Sequence, residues 1–301
     1  MAPGPARFQE PGMTSLPCRP SAPLVTDRDV QALFEDGTPL RLEFQPQYDL
    51  RNGRLSSAEA LARWSHPEKG DVPPADFMPA IHRLGLEQAF FERVCSLALD
   101  AIRVLNCHGI FIPIAINACA RTLAGPRSLA FLRREALRRR IPPSHIRIEL
   151  TEEMAMEGRP GLCEAMARLR AWGCEVALDD FGSGYSNLAM LARLDIDELK
   201  LDRQLVARVD DSLVAREAVR FALALGERMG WRVVAEGIST SAELRALQAL
   251  GCGHGQGYLL GRPMPLSRLA ALADAGAGSA MPVSCAQCRR LEPGRPCVAG
   301  Y

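Results

Sequence analysis

Apolar positions along this chain follow two alternating rhythms. Short β-like runs (Arg41 to Tyr48, Ile110 to Asn117, Ile146 to Leu150, Glu175 to Asp179, Glu198 to Leu201, Trp231 to Ala235) are separated by longer stretches with helical spacing. Leu162 to Trp172, Ala215 to Met229 and Ser241 to Leu250 are three of those stretches. Ile146 to Leu150 and Val233 to Ala235 look apolar on both faces or nearly so, the pattern of parallel strands covered by helices. Repeated β–α units over about 245 residues predict an α/β fold, a (β/α)8 TIM-like barrel, over a sandwich. A doubly wound open sheet is the alternative, but no Gly-x-Gly-x-x-Gly loop follows any of the runs. Asn52-Gly53, between Glu43–Leu50 and Arg54–Trp64, is a tight-turn signal that makes the first strand antiparallel to the second.

Composition divides the chain into three zones. Residues 1–28 form a Pro-rich tail without the apolar core of a secretory signal, expected to be disordered. Residues 29–276 carry the repeating pattern, and residues 277–301 form a loose tail with Cys285, Cys288 and Cys297. A net charge of +1 gives no footprint for DNA or a membrane surface, and binding to neither is expected. No apolar run approaches the roughly 20 residues of a membrane-spanning helix. Ten cysteines, with Cys95, Cys119 and Cys174 inside apolar stretches, read as free thiols of a reducing compartment, which predicts a cytoplasmic protein. Cys285 and Cys288 with Cys297 suit either part of a zinc or redox site or a flexible thiol-bearing tail; the missing second pair favours the tail. Arg133, Arg134 and Arg138 to Arg140 suit a solvated helix face over a nucleic-acid contact, and His66 a structural role.

The acids are placed more informatively than the apolar residues. Glu59 lies in an apolar run, Asn117 ends FIPIAIN, and Glu149 lies in IRIEL with Glu152 and Glu153 after it. Asp179 and Asp180 end EVALDD, Lys200 and Asp202 flank Leu201, Glu236 ends RVVAE, and Gln256 lies in GHGQGY. In a parallel barrel these strand ends share one rim, the rim that carries the active site. Each acid alone is explained as a helix cap. Five or six at successive strand ends would repel one another by about 4 kcal/mol per pair at 4 Å and an effective dielectric near 20. Divalent cations that prefer oxygen ligands resolve that repulsion.

At these residues the chain resembles the EAL domain, a bacterial cyclic di-GMP phosphodiesterase family. The resemblance runs from Phe44 to Pro265 through FQPQYDL, AEALARW, FMPAI, IPIAINA, IELTEE, DDFGSGYSNL, DELKLDR, VVAEGIST and QGYLLGRPMP. It implies hydrolysis of cyclic di-GMP to the linear dinucleotide with two Mg²⁺ or Mn²⁺ per site. It further implies that Glu59, Asn117, Glu149 and Asp179 hold the first metal, and that Asp179, Asp180 and Glu236 hold the second. By the same resemblance Lys200 positions or deprotonates the attacking water, Asp202 stands close by, and Glu152 braces the Asp179–Leu188 loop. Gln45, Leu61 and Arg63 would line the nucleotide groove, and Gln256 would order water and metal. A homodimer near that loop is implied, with Leu188, Met190, Leu191 and Leu194 on its apolar stripe. With no sensor domain in the sequence, regulation would fall to expression, dimerisation or an unidentified regulatory protein. A non-catalytic EAL-fold regulator of virulence or motility genes is the alternative, disfavoured because no ligand is lost. Three departures stand out: Ile81 to Leu84, Ser183 for threonine, and Ser239 for a glutamate. The last predicts weakened metal binding that Ser239→Glu would restore.

Overall fold

The computed structural model describes residues 25–34, 40–151, 161–183, 191 and 194–276. Its strands are β1 (Leu40–Asp49), β2 (Arg54–His66), β3 (Gly70–Val72), β4 (Ile114–Asn117), β5 (Ile146–Thr151), β6 (Glu175–Phe181), β7 (Glu198–Leu201), β8 (Arg232–Ala235) and β9 (His254–Gln256). They are ordered β1-β9-β8-β7-β6-β5-β4-β2-β3, and pairing of β1 with β2 closes eight of them into a barrel. β1 runs antiparallel to both its neighbours, while the links from β2 through β4 to β9 are parallel. The reversed first strand is thus borne out, and Gly53 supplies the left-handed turn residue at φ 69°.

Around the barrel lie α1 (Asp27–Ala32), α2 (Pro74–Leu84), α3 (Glu87–Cys107), α4 (Ala120–Ala124), α5 (Pro126–Arg139), α6 (Leu162–Trp172), α7 (Arg203–Val206), α8 (Leu213–Met229), α9 (Ser241–Ala249) and α10 (Leu266–Gly276). α6 has the expected bounds. α8 starts two residues earlier than expected because the Ser212 side chain accepts from Ala215 N and sets the cap. The strand expected from Ile110 begins only at Ile114. Pro113 has no N–H to donate to a ladder, and Phe111 is left exposed. α1 begins at Asp27, where Thr26 and Asp29 form a reciprocal capping box, two residues ahead of the boundary expected after residue 28.

The apolar core sits between sheet and helices. Ile146, Ile148 and Leu150 of β5, Val176 and Leu178 of β6, and Leu199 and Leu201 of β7 belong to it and are all fully buried. The alternate residues of the same strands face the lumen and are largely polar: Arg147 and Glu149, Glu175 and Asp179, Glu198 and Lys200. The expectation that Ile146 to Leu150 is apolar on both faces is therefore corrected. A parallel strand with buried faces stays apolar only where its partner is a helix, and here the other face lines a hydrogen-bonded interior.

Two charge layers fill that interior. At the N-terminal end of the strands Arg147 bonds Glu175 at 2.6 Å and Glu198 at 2.9 Å, and Arg232 bonds the same two acids at 3.0 and 2.9 Å. Two guanidiniums against two carboxylates leave this floor neutral. At the C-terminal end the charges do not balance.

Candidate metal-binding active site

Lys200, fully buried on β7, is the only cation among the acids at the barrel mouth for which the described residues show an ion pair. Its Nζ lies 2.7 Å from Glu236, 2.8 Å from Glu149, 3.3 Å from Asp179 and 3.7 Å from Glu59. Each acid comes from a different strand or strand end, as parallel topology requires. With Asp180, five carboxylates face one ammonium, and four negative charges are unbalanced when all are ionised.

Burial works against the Lys200 ammonium, but Asp179, Glu149, Glu236 and Glu59 outweigh it and hold its pKa well above the ordinary value. Burial pushes the Glu149 carboxyl up to about 8 despite Lys200, with Glu59 and Asp179 adding to the rise. Glu236 is raised for the same reasons, burial first. Burial also opposes the Glu59 carboxylate, yet Lys200, Asn117 and Gln256 together hold its pKa below the usual range. Lys200 thus keeps its proton, and Glu149 and Glu236 resist losing theirs until positive charge arrives.

Asp179 and Asp180 are consecutive, so strand alternation alone would send them to opposite faces. A register shift between Leu178 and Phe181 breaks the alternation, and Asp180 takes the left-handed region at φ 60°. Aspartate tolerates that region better than most residues, though it still costs about 1 kcal/mol. The result brings carboxylate oxygens of Asp179, Asp180 and Glu236 within 4.8 Å of one another. Burial, with Asp179 beside it, raises Asp180 to about 6. Glycine sets the Glu236 end. Gly237, at φ 70°, packs against Arg203, where a Cβ would meet the Arg203 Cβ at 2.5 Å.

Glu59, on β2, is held at both oxygens. Asn117 Nδ2 donates to one at 2.8 Å and Gln256 Nε2 to the other at 2.8 Å. Glu149 uses one oxygen for Lys200, and its Oε1 is buried without a hydrogen-bond partner. An orphaned carboxylate oxygen costs about 1–3 kcal/mol unless something else is bound there. That oxygen, the Asp179–Asp180–Glu236 triplet and the excess negative charge fit hard divalent cations such as Mg²⁺ or Mn²⁺. Glu59, Asn117, Glu149 and Asp179 would share one, and Asp179, Asp180 and Glu236 another.

The remaining expected residues take varied positions. Asp202 caps α7 through Gln204 N at 2.7 Å and acts on the site as a charge beside Asp180. Gln256 meets Glu59 directly, but Gln45 is engaged in the barrel wall: its Oε1 accepts from Gln256 at 3.1 Å and its Nε2 donates to Gly261 O at 3.2 Å. Leu61 and Arg63 continue the lumen-facing side of β2 beyond Glu59, about 7 and 13 Å along the strand. Arg63 pairs there with Glu43, which also holds Arg41. Glu152, and all of the Asp179–Leu188 loop after Ser183, lie outside the described residues.

Ser239 is not a neighbour that a glutamate would improve. Its Oγ donates to both oxygens of Glu243 at 3.1 Å and its N–H to one at 2.7 Å, in the cap that starts α9. A glutamate at 239 would put a second carboxylate against Glu243, which argues against the expected gain. His66 is structural as expected, its Nδ1 accepting from Glu68 and Lys69 N–H groups. The arginines of α5 are spent within the chain: Arg138 and Arg139 on Glu135, Arg133 over Trp172. The described cysteines are all free, with Cys95 and Cys174 buried and Cys119 half-buried.

The sequence model of the EAL domain matches residues 27–263. The chain belongs to the EAL domain family. Among its relatives are MucR of Pseudomonas aeruginosa, a bifunctional diguanylate cyclase/cyclic di-GMP phosphodiesterase, 36% identical over 77% of this chain and 34% of MucR. RocR of the same organism, a cyclic di-GMP phosphodiesterase, is 35% identical over 74% of this chain and 57% of RocR. The EAL chain thus spans about a third to just over half the length of these two curated relatives. A solved MucR phosphodiesterase in complex with c-di-GMP superposes with a TM-score of 0.74 at 35% identity, covering 80% of this chain and 98% of that one. The Klebsiella pneumoniae BlrP1 complex with manganese and cyclic di-GMP superposes at 0.69 with 29% identity, over 77% of this chain and 57% of that one.

Sequence reading missed the polar residues beneath this EAL site: Gln47, Ser57, Arg147, Glu198 and Arg232. The signal was present, since Gln45/Gln47, Ser57/Glu59, Arg147/Glu149 and Glu198/Lys200 are each spaced by two along a strand.

Proposed function

We propose that this chain hydrolyses cyclic di-GMP to linear diguanylate with two divalent cations, Mg²⁺ or Mn²⁺. The observation that carries this reading is the ring of four acids around Lys200 at 2.7–3.7 Å, continuous with the Asp179–Asp180–Glu236 triplet. Support also comes from the names of the relatives and from the MucR and BlrP1 complexes with cyclic di-GMP. Cations of this kind, when bound, neutralise the phosphodiester's non-bridging oxygens and bring a water's acidity toward neutral pH.

The chain's own residues do the rest. Asn117 and Gln256 fix the Glu59 carboxylate so that its remaining lone pairs point one way. Lys200 is a fixed cation among the acids, placed to hold the attacking water by hydrogen bonding and to stabilise charge that develops at phosphorus. Asp180, whose carboxyl burial raises to about 6, takes up or releases a proton as the site fills. Arg63 and Leu61, above Glu59 on β2, offer a charge and an apolar edge for the nucleotide. Gln45 contributes through Gln256 and the wall.

The same reading takes the protein to be cytoplasmic, and among the described residues no helix is long and apolar enough to cross a membrane. It takes the active form to be a homodimer. Leu191 and Leu194 are buried in the core, and Leu188 and Met190 lie outside the described residues. No observation favours a non-catalytic regulator, because every expected ligand that falls within the described residues lines the mouth. Incubation with cyclic di-GMP and Mg²⁺ or Mn²⁺, followed by chromatography, is expected to give linear diguanylate. Intact substrate with both metals would overturn the proposal.

A further inference from the structure

Beneath Glu59 a line of side chains crosses the barrel with every donor pointing the same way. Arg147, fully buried on β5, reaches across the lumen, and its Nη1 donates to Gln47 Oε1 at 3.0 Å and to Ser57 Oγ at 3.3 Å. The Ser57 hydroxyl donates to the same Gln47 oxygen. Gln47 Nε2 donates to Gln256 Oε1 at 2.8 Å, and Gln256 Nε2 donates to Glu59 Oε2 at 2.8 Å. Gln47 and Gln256 are 1% and 4% exposed, so water does not offer them other partners.

A glutamine amide can turn end for end, and in isolation neither of these two has a preferred orientation. Arginine removes the choice, because a guanidinium donates and never accepts. Arg147 therefore fixes the Gln47 oxygen toward the floor, which fixes its NH₂ toward Gln256. That in turn fixes the Gln256 NH₂ toward Glu59, an orientation that Gln45 supports, since its Oε1 accepts from the same nitrogen at 3.1 Å. Were either amide reversed, an amide oxygen would face the Glu59 carboxylate. The charge of Arg147 is already balanced by Glu175 and Glu198 in the neutral floor, so its contact with Gln47 is not needed to pair it.

We infer that Gln47 is a positioning residue for the metal site, transmitting the donor polarity of Arg147 through Gln256 to Glu59. The inference rests on the reading of Glu59 as a metal ligand. By holding Glu59 Oε2 with a donor, the relay fixes which lone pairs are left for a cation. Residues acting one shell away from a metal in this manner are typically worth about 10 to 100-fold in metal affinity.

The test is Mn²⁺ binding alone, without nucleotide, measured by electron paramagnetic resonance on folded protein and compared with thermal unfolding of the same samples. Gln47→Glu keeps an acceptor for Arg147 and strengthens it, but its ionised carboxylate cannot donate; Gln256 must either set its oxygen against that carboxylate or turn round and give up its bonds to Gln45 and Glu59. The expected result is an unfolding temperature near that of the wild type with Mn²⁺ affinity lower by about 10-fold or more. Gln47→Met, similar in size, neither accepts nor donates and leaves Gln256 oriented by Gln45 alone. It should show a smaller fall in affinity, and it supplies the same comparison if Gln47→Glu does not fold. Wild-type Mn²⁺ affinity in either folded variant would overturn the relay. A wild type that takes up no Mn²⁺ would overturn the metal-ligand reading of Glu59 and the relay with it. A wild type that binds Mn²⁺ but leaves cyclic di-GMP intact would overturn only the proposed activity.

Discussion

Asp180 follows Asp179 directly in the chain, yet both turn into the same mouth, because the strand bulges and Asp180 adopts φ 60°. Asparagine tolerates this backbone as well as aspartate does, which separates shape from charge. Asp180→Asn is expected to fold with an unfolding temperature in chelator no lower than that of the wild type and to lose turnover by more than about 100-fold, the scale of the charge stabilisation a metal supplies. Calorimetry and product chromatography on the same preparation check both halves.

Lys200 offsets part of the repulsion among Glu59, Glu149, Asp179 and Glu236 while no cation is bound. Removing one partner of a buried charge cluster typically costs about 3–5 kcal/mol. Lys200→Met should therefore lose several kcal/mol of stability in chelator, as read by denaturant unfolding, and regain most of it in Mn²⁺. An equal loss in both conditions would mean that Lys200 is held for packing.

Stability of the metal-free protein should fall as pH rises. The Glu149 carboxyl moves from an ordinary 4.5 to about 8, and Asp180 from 3.8 to about 6, both through burial first. A raised carboxyl pKa means the folded state holds protons that the unfolded state has lost. The stability tied to those protons is present at low pH and disappears between about pH 4.5 and 8. The unfolding temperature in chelator is expected to drop from pH 6 to pH 8, and Mn²⁺ should flatten the slope by replacing the protons.

Ser239 belongs to the cap of α9. Ser239→Glu is expected to lower the unfolding temperature with no gain in Mn²⁺ affinity. Ser239→Ala should cost about 1 kcal/mol, as the loss of one hydrogen bond does, with turnover unchanged. A higher Mn²⁺ affinity in Ser239→Glu would show that the side chain reaches the metal site.

The barrel and most of the mouth were legible because parallel strands write their ends into the sequence. β-like runs closing at or beside an acid, at Glu149, Asp179, Asp202 and Glu236, place those acids on one rim whatever the loops do. Asn52-Gly53 likewise announced the reversed first strand. What was not legible depended on contacts between distant strands. Arg147 looked like an interruption in an apolar run, and its partners Gln47, Ser57 and Glu198 lie on other strands of the sheet. Gln45 sits in a groove-like motif, but its hydrogen bonds are set by Gln256 and Gly261, over 200 positions away. The Ser239 contact with Glu243 was not legible either, because a substitution shows what changed and not which way the side chain points.

The central claim is that cyclic di-GMP is linearised only when two cations complete this ring of acids. Its most direct test is a back-titration. Chelator-treated protein receives Mn²⁺ in increments while linear diguanylate is measured by chromatography and bound metal is counted. No product in chelator, and turnover that saturates only as a second ion per chain is taken up, is the expected result. Full turnover in excess chelator, or none with both ions bound, would contradict it.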